Sequence, residues 1–71
     1  MIDRIEELLR KEPFTPFKII LTSGTMYEVH SPFMLAIGKS ELSYYFPKSD
    51  RLAHARLNQL AAVETMEMHT K

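Results

Sequence analysis

The stretch from Lys18 to Val29, "KIILTSGTMYEV", has two short segments rich in apolar residues on either side of Gly24, which is typical of a β-hairpin with its turn at the glycine. Two registers compete. A two-residue loop would place the Glu28 carboxylate and the His30 imidazole on the face that carries the large apolar side chains, which is unfavourable. A three-residue loop ending with a left-handed Gly24 avoids this. We therefore predict these cross-strand pairs: Phe17 with Val29, Ile19 with Tyr27 and Leu21 with Thr25 on one face, and Lys18 with Glu28 and Ile20 with Met26 on the other.

The N-terminal segment carries an apolar stripe at helical spacing, formed by Ile2, Ile5, Leu8 and Leu9. It predicts a helix over about residues 3–11, with Asp3 as the N-cap and Pro13 as the stop. A helix of roughly nine residues is too short to be stable alone. We therefore expect its stripe to pack on the sheet.

The middle of the chain reads as further strands. Pro32 interrupts the strand that ends at Val29, because proline has no N–H to donate. The apolar run 33–37 then predicts a buried strand. After a turn at "GKS", the segment 41–46 predicts another strand, with these side chains on one face: Leu42, Tyr44 and Phe46.

The C-terminal third, residues 51–68, allows two interpretations. Its four alanines favour a helix by intrinsic propensity. The alternative is a pair of strands joined by a tight turn at "NQL", which would complete a sheet whose edge is otherwise left open. We expect the strands, and the helix stays the alternative.

These elements predict one domain over residues 1–71 with an α+β fold. A short N-terminal helix packs on a small, strongly bent antiparallel sheet or open barrel of five strands, which spans about residues 16–68. A chain of 71 residues lies near the small end of what folds alone, so burial against a partner subunit would add stability.

Composition and charge exclude several classes of function. Nine basic residues balance nine acidic residues, so the net charge of +0 supplies no overall attraction for nucleic acid or anionic membranes. The absence of cysteine excludes disulfides and thiolate metal sites. The first residues lack the apolar core of a signal peptide, and no apolar run is long enough to span a membrane. We expect a cytoplasmic protein.

Residues that could carry chemistry are few. The three histidines, His30, His54 and His69, have no compact metal-ligand spacing, so we expect no metal. The two glycines lie in no phosphate-binding loop. Adjacent carboxylates at Glu6 and Glu7 point in different directions on a helix and do not form an acid/base pair. We expect no enzymatic activity and no cofactor.

Two candidate binding surfaces remain. Apolar side chains that face away from the core would mark an interface with a protein partner or a second copy, and they are Ile20, Met26, Met66 and Met68. A basic and aromatic segment could instead contact nucleic acid, through Tyr45, Lys48, Arg51 and Arg56. The neutral net charge favours the first surface, so we expect a non-catalytic, self-associating or protein-binding module.

Part of the chain resembles a group of small uncharacterised bacterial proteins. The residues that carry this resemblance are Pro13-Phe14, Pro16-Phe17, Ser23-Gly24 and Val29-His30-Ser31-Pro32. A short helix followed by five bent strands is also similar to Sm-like and SH3-like small barrels, in which Leu21, Gly24 and Val29 match apolar and glycine positions of the first Sm motif. This resemblance implies an Sm-like RNA-binding regulator as the alternative function. The segments "HSPF" and "RLNQL" depart from the Sm pattern, and no RNA-binding residue is carried over.

Overall fold

The computed structural model describes residues 1–66. One helix is followed by six strands, which form two antiparallel sheets of three. The elements are α1 (Ile2–Arg10), β1 (Phe17–Leu21), β2 (Met26–Val29), β3 (Leu35–Ile37), β4 (Glu41–Phe46), β5 (Arg51–Arg56) and β6 (Leu60–Thr65), with 3-10 turns at Pro32–Met34 and Leu57–Gln59. Sheet A has the order β2-β1-β6, and sheet B has the order β3-β4-β5.

The α+β class is confirmed, but the count of five strands was wrong. Ser31 caps the first 3-10 turn, because its hydroxyl accepts a hydrogen bond from the Phe33 N–H at 3.2 Å. The predicted strand over 33–37 therefore begins only at Leu35. Within residues 1–66, no ladder of backbone hydrogen bonds closes the two sheets into a barrel.

The predicted hairpin register is confirmed. Phe17 pairs with Val29 and Ile19 with Tyr27, as the burial argument required. Gly24 has a φ of 93°, and its N–H donates to the Leu21 carbonyl at 2.9 Å. The penalty for a carboxylate on the core face is therefore sufficient to select the loop length.

The C-terminal strands are also confirmed, and a helix over residues 51–66 is wrong. Strand β6 pairs with β1 on the side opposite to β2, so Lys18 lies between Glu28 and Glu64. The Lys18 Nζ contacts the Glu64 carboxylate at 3.7 Å. Lys18 and Glu28 are cross-strand partners as predicted, but the carboxylate that contacts the lysine is that of Glu64, which β6 brings to its other side.

The core lies between the two sheets and α1. Its largest fully buried side chains are Phe17, Ile5, Ile19, Leu42 and Val29. α1 contributes Ile5 and Leu8 to this cluster, as its stripe predicts. Asp3 is not the cap: the helix begins at Ile2, and the Ile5 N–H donates to the Met1 carbonyl at 3.1 Å.

One side-chain hydrogen bond ties sheet B to sheet A. The Tyr44 hydroxyl donates to the Glu28 backbone carbonyl at 2.6 Å. The Tyr44 ring stacks on Tyr27, with ring centroids 4.6 Å apart, and meets the Phe46 ring edge-on. Burial, with smaller effects of Glu28 and Tyr27, raises the pKa of the Tyr44 phenol.

Candidate protein interface

Two three-stranded sheets have four edge strands, β2 and β6 in sheet A and β3 and β5 in sheet B. An edge strand leaves every second backbone N–H and C=O without a ladder partner, which makes it a template for another chain. The four edges differ in length and in how far they are covered, and this difference identifies the candidate interface.

The edges of β2 and β3 are short. Strand β2 has four residues, and its outward Glu28 carbonyl is occupied by the Tyr44 hydroxyl. Strand β3 has three residues and follows the 3-10 turn that contains Pro32. Short edges next to proline and side-chain caps are the usual protection against strand addition.

The edge of β5 is six residues long and open. The Leu57 N–H donates to the Ser40 carbonyl at 2.9 Å, which fixes the alternation of the β4–β5 ladder. Ala53 and Ala55 therefore face β4, whereas the backbone groups of Leu52 and His54 face away from it. Neither residue has a backbone partner within residues 1–66.

The edge of β6 is also six residues long. Because the Met66 N–H donates to the Pro16 carbonyl at 2.9 Å, the backbone groups of Val63 and Thr65 face away from β1. The β1–β6 ladder shifts register between Ile20 and Leu21. Such an irregularity twists an edge and weakens it as a template.

Large apolar side chains lie exposed beside the β5 edge. Tyr45 and Leu52 are direct cross-strand partners on the outer face of sheet B, 36% and 63% exposed. Next to them on this face, the Ser43 hydroxyl and the His54 Nδ1 are 3.0 Å apart. Phe33 is 90% exposed as well, but it lies in the 3-10 turn before β3, which is the opposite edge of sheet B. Exposed aromatic and leucine side chains beside an open edge are typical of a protein interface.

The predicted interface residues only partly lie together. Ile20 and Met26 are cross-strand partners on the outer face of sheet A, and Met26 is 57% exposed. Half-buried Met66 follows β6, and the Lys18–Glu64 ion pair lies between it and Ile20. Met68 lies outside the described residues. The continuous apolar surface at Ile20 therefore contains only Ile20 and Met26, and it is smaller than the sequence suggested.

The predicted nucleic-acid residues are distributed over different surfaces. Tyr45 and Arg56 lie on the outer face of sheet B, where Arg56 is opposite Glu41. Arg51 pairs with Phe46 at the other end of β5, and its guanidinium lies 4.9 Å from the centre of that ring. Lys48 lies in the turn before β5. The four side chains do not form one basic face.

Other chemistry is sparse in the described part of the chain. Residues 1–66 contain no group of three or more histidine, aspartate or glutamate side chains that could hold a metal. His30 lies 3.2 Å from the Glu28 carboxylate on the surface, and His69 lies outside the described residues. No helix in residues 1–66 is long and apolar enough to cross a membrane.

Among the open recesses formed by residues 1–66, two lie at the ends of strands. The larger, of about 470 Å³, lies between α1 and the end of β6 and is lined by Arg4, Glu7, Leu8, Arg10, Lys11 and Thr65. The smaller, of about 170 Å³, lies at the end of β5 and is lined by Glu41, His54, Ala55, Arg56 and Gln59. Neither brings together a nucleophile, a base and an orienting group.

Sequence reasoning missed Leu52 as a surface residue. The small side chains of Ala53 and Ala55 alternate with Leu52, His54 and Arg56 along β5. Because alternate residues of a strand face opposite sides, alanines at the inward positions leave the larger side chains outside. The alternating alanines were therefore the feature of the sequence that indicated an exposed Leu52.

Comparison with known proteins finds no relative: no family model, curated protein or solved structure matches the chain. The resemblance to small bacterial proteins stays a prediction. The function must therefore be argued from the free edge and the exposed side chains.

Proposed function

We propose that the chain is a non-catalytic self-association module, which binds a second copy through the open edge of β5. The observation that carries the proposal is the pair of unpaired backbone positions at Leu52 and His54 in a six-residue edge strand. The two shorter edges are capped or interrupted. An added strand would satisfy the N–H and C=O groups at both positions.

Apolar burial would add to these hydrogen bonds. Each backbone hydrogen bond contributes only about 0.5–1.5 kcal/mol net, so an edge alone gives a weak complex. Leu52 is 63% exposed, and Tyr45 lies beside it. A strand added at β5 would cover the flank of Leu52, and burial of a leucine side chain contributes roughly 1.5–3 kcal/mol.

Strand β5 is a better template than β6 for two reasons. The register shift in the β1–β6 ladder disturbs the β6 edge, whereas the β4–β5 pairing is regular over all six residues of β5. No large apolar side chain of β6 is fully exposed: Leu60 and Val63 are half-buried against the core. The combination of open backbone and exposed apolar surface therefore occurs at β5.

The finer fold assignment is part of this proposal. β2 and β3 follow each other along the chain, separated by the 3-10 turn Pro32–Met34. If they are the two halves of one bent strand, the six strands correspond to the five of an Sm-like or SH3-like open barrel. The pairing of the last strand with the first supports this interpretation.

Light scattering on a sizing column tests self-association. We expect the mass to rise with protein concentration to a multiple of 8.3 kDa at low salt and at high salt alike, because backbone pairing and apolar burial persist at high salt. A monomer at every concentration would contradict the proposal. A ring that binds RNA, with affinity falling steeply as salt rises, would favour the Sm-like alternative.

Variants of the β5 edge identify the surface. His54→Pro removes an outward N–H, which an edge strand tolerates, and it should shift the mass to that of a monomer. His54→Ala keeps the N–H while losing the side-chain contact with Ser43, so it should still associate. Leu52→Lys tests the apolar flank independently and should also give a monomer. Circular dichroism confirms that each variant is folded, and unchanged association of both His54→Pro and Leu52→Lys would overturn the proposal.

A further inference from the structure

We infer that the β5 edge pairs with itself, so that two copies join antiparallel about a twofold axis through Ala53. This inference rests on the proposed self-association and specifies its symmetry and register. A twofold interface is self-complementary: if one residue contacts another across the axis, the reverse contact also forms. The result would be one continuous sheet of six strands, three from each copy.

The ladder allows only a few registers. Outward backbone groups must face outward backbone groups, so Leu52 and His54 can pair only with each other or with themselves. With the strands well overlapped, the axis then passes through Leu52, Ala53 or His54. Each choice brings different charges together.

Charge favours the axis at Ala53. In this register Arg56 of each copy lies opposite Asp50 of the other, the turn residue directly before β5, so two pairs of opposite charges are brought together. Neither side chain has an ion-pair partner within residues 1–66. Arg56 would lie opposite Lys48 with the axis at Leu52. With the axis at His54, it would face Leu52 while two imidazoles face each other. Like charges directly opposite on a sheet are destabilising.

The surface next to Arg56 has room for the incoming residue. The recess of about 170 Å³ at the end of β5 is lined by the side chains of His54 and Arg56, together with Glu41, Ala55 and Gln59. Asp50 of the second copy would enter this recess. Arg56 would then lie between Glu41 of its own chain and Asp50 of the other.

The same register covers the exposed leucine. Leu52 lies opposite His54 of the second copy, so the outer face carries one row across the axis: Tyr45 and Leu52 of one copy, then His54 and Ser43 of the other. The row occurs twice, once on each side of the axis. A second copy of this chain would therefore both pair the free backbone groups of β5 and cover the exposed Leu52.

Single cysteines test the register, because the chain has no cysteine of its own. With the axis at Ala53, the two Ala53 residues form a non-hydrogen-bonded pair, with Cα atoms about 4.5 Å apart and within disulfide reach. The two Leu52 residues, and likewise the two His54 residues, would be about 8 Å apart, beyond that reach. We expect Ala53→Cys to form most of its covalent dimer under mild oxidation before Leu52→Cys or His54→Cys does.

Each other outcome has a definite meaning. Faster cross-linking of Leu52→Cys or His54→Cys would overturn the register and leave self-association standing. If no variant cross-links although the parent protein associates, β5 does not pair with itself, and the partner surface lies elsewhere. A parent protein that is monomeric throughout would overturn both the inference and the proposed function.

Charge reversal provides a second measurement that does not need oxidation. Arg56→Glu and Asp50→Lys should each raise the dimer Kd by about three- to tenfold at low salt, since two exposed ion pairs are lost. The double variant Arg56→Glu with Asp50→Lys should recover most of the parental Kd. Additive weakening in the double variant would contradict the pairing of Arg56 with Asp50.

Discussion

Glycine is required at position 24 because of the backbone conformation there, and not because a side chain would clash with a neighbour. Gly24 has a φ of 93°, a conformation that L-residues with a Cβ rarely adopt. A Cβ built at this position would meet no atom within 4 Å. The cost of substitution therefore arises from the backbone alone, which makes the position a clean test of the hairpin turn.

We predict that Gly24→Val lowers the free energy of unfolding by about 1–2 kcal/mol, the cost of a left-handed residue with a Cβ. Gly24→Asn should cost less, because asparagine tolerates this region. Urea unfolding of the three proteins measures the difference. Equal stability of Gly24→Val and the parent would show that the turn does not need a positive φ.

The Tyr44 hydroxyl adds one hydrogen bond between the two sheets, beside the core that they share. Tyr44→Phe should lower the free energy of unfolding by about 1–2 kcal/mol, because the half-buried Glu28 carbonyl loses its donor while the aromatic stack remains. Tyr27→Phe is the matched control, since Tyr27 lies in the same stack and no hydrogen bond of its hydroxyl is seen within residues 1–66. Thermal unfolding at neutral pH compares them, and equal losses would contradict this role of the Tyr44 hydroxyl.

The same phenol predicts a pH dependence. Burial raises the pKa of Tyr44 in the folded protein above its ordinary value of 10.0, so folding favours the neutral form. This contribution is fully present below about pH 10, where the unfolded phenol is also neutral, and is lost as pH rises through the folded pKa. The stability difference between the parent and Tyr44→Phe should therefore shrink above about pH 10. If the stability difference between the two proteins stays constant as pH rises above about pH 10, the role of the buried phenol is contradicted.

At the scale of elements, α1 depends on its packing. The helix has nine residues and no side-chain cap, so its buried side chains must supply its stability. Ile5→Ala should lower the free energy of unfolding by about 2–5 kcal/mol, because Ile5 is fully buried. The exposed Glu7→Ala should change it by less than about 0.5 kcal/mol. Urea titrations measure both free energies of unfolding. If the helix is only loosely attached, both variants would be as stable as the parent.

The residues within one hairpin were enough to predict its register, but they could not show which distant strand would pair with it. The β1–β2 register followed from where a carboxylate would be placed, which the sequence shows directly. The Lys18–Glu64 pair could not be predicted, since it depends on which distant strand lies on the other side of β1. Exposure of Leu52, in contrast, could have been predicted locally, because the small side chains of Ala53 and Ala55 mark the inward face of β5.

At the scale of the whole molecule, the small size of the chain gives association a physical reason. A 71-residue chain buries a smaller fraction of its surface than a larger domain does. In the described residues the core is shared between two three-stranded sheets, and large apolar side chains stay exposed at Phe33, Leu52 and Met26. Self-association at β5 would extend sheet B and bury part of this surface.

Amide hydrogen exchange, followed residue by residue by NMR at high and low protein concentration, tests self-association at β5 most directly. The amides of Leu52 and His54 should be protected at high concentration and should exchange freely on dilution. Those of Ala53 and Ala55, which face β4, should be protected at both concentrations. Free exchange of Leu52 and His54 at every concentration would contradict the account, and protection of Val63 and Thr65 instead would move the interface to β6.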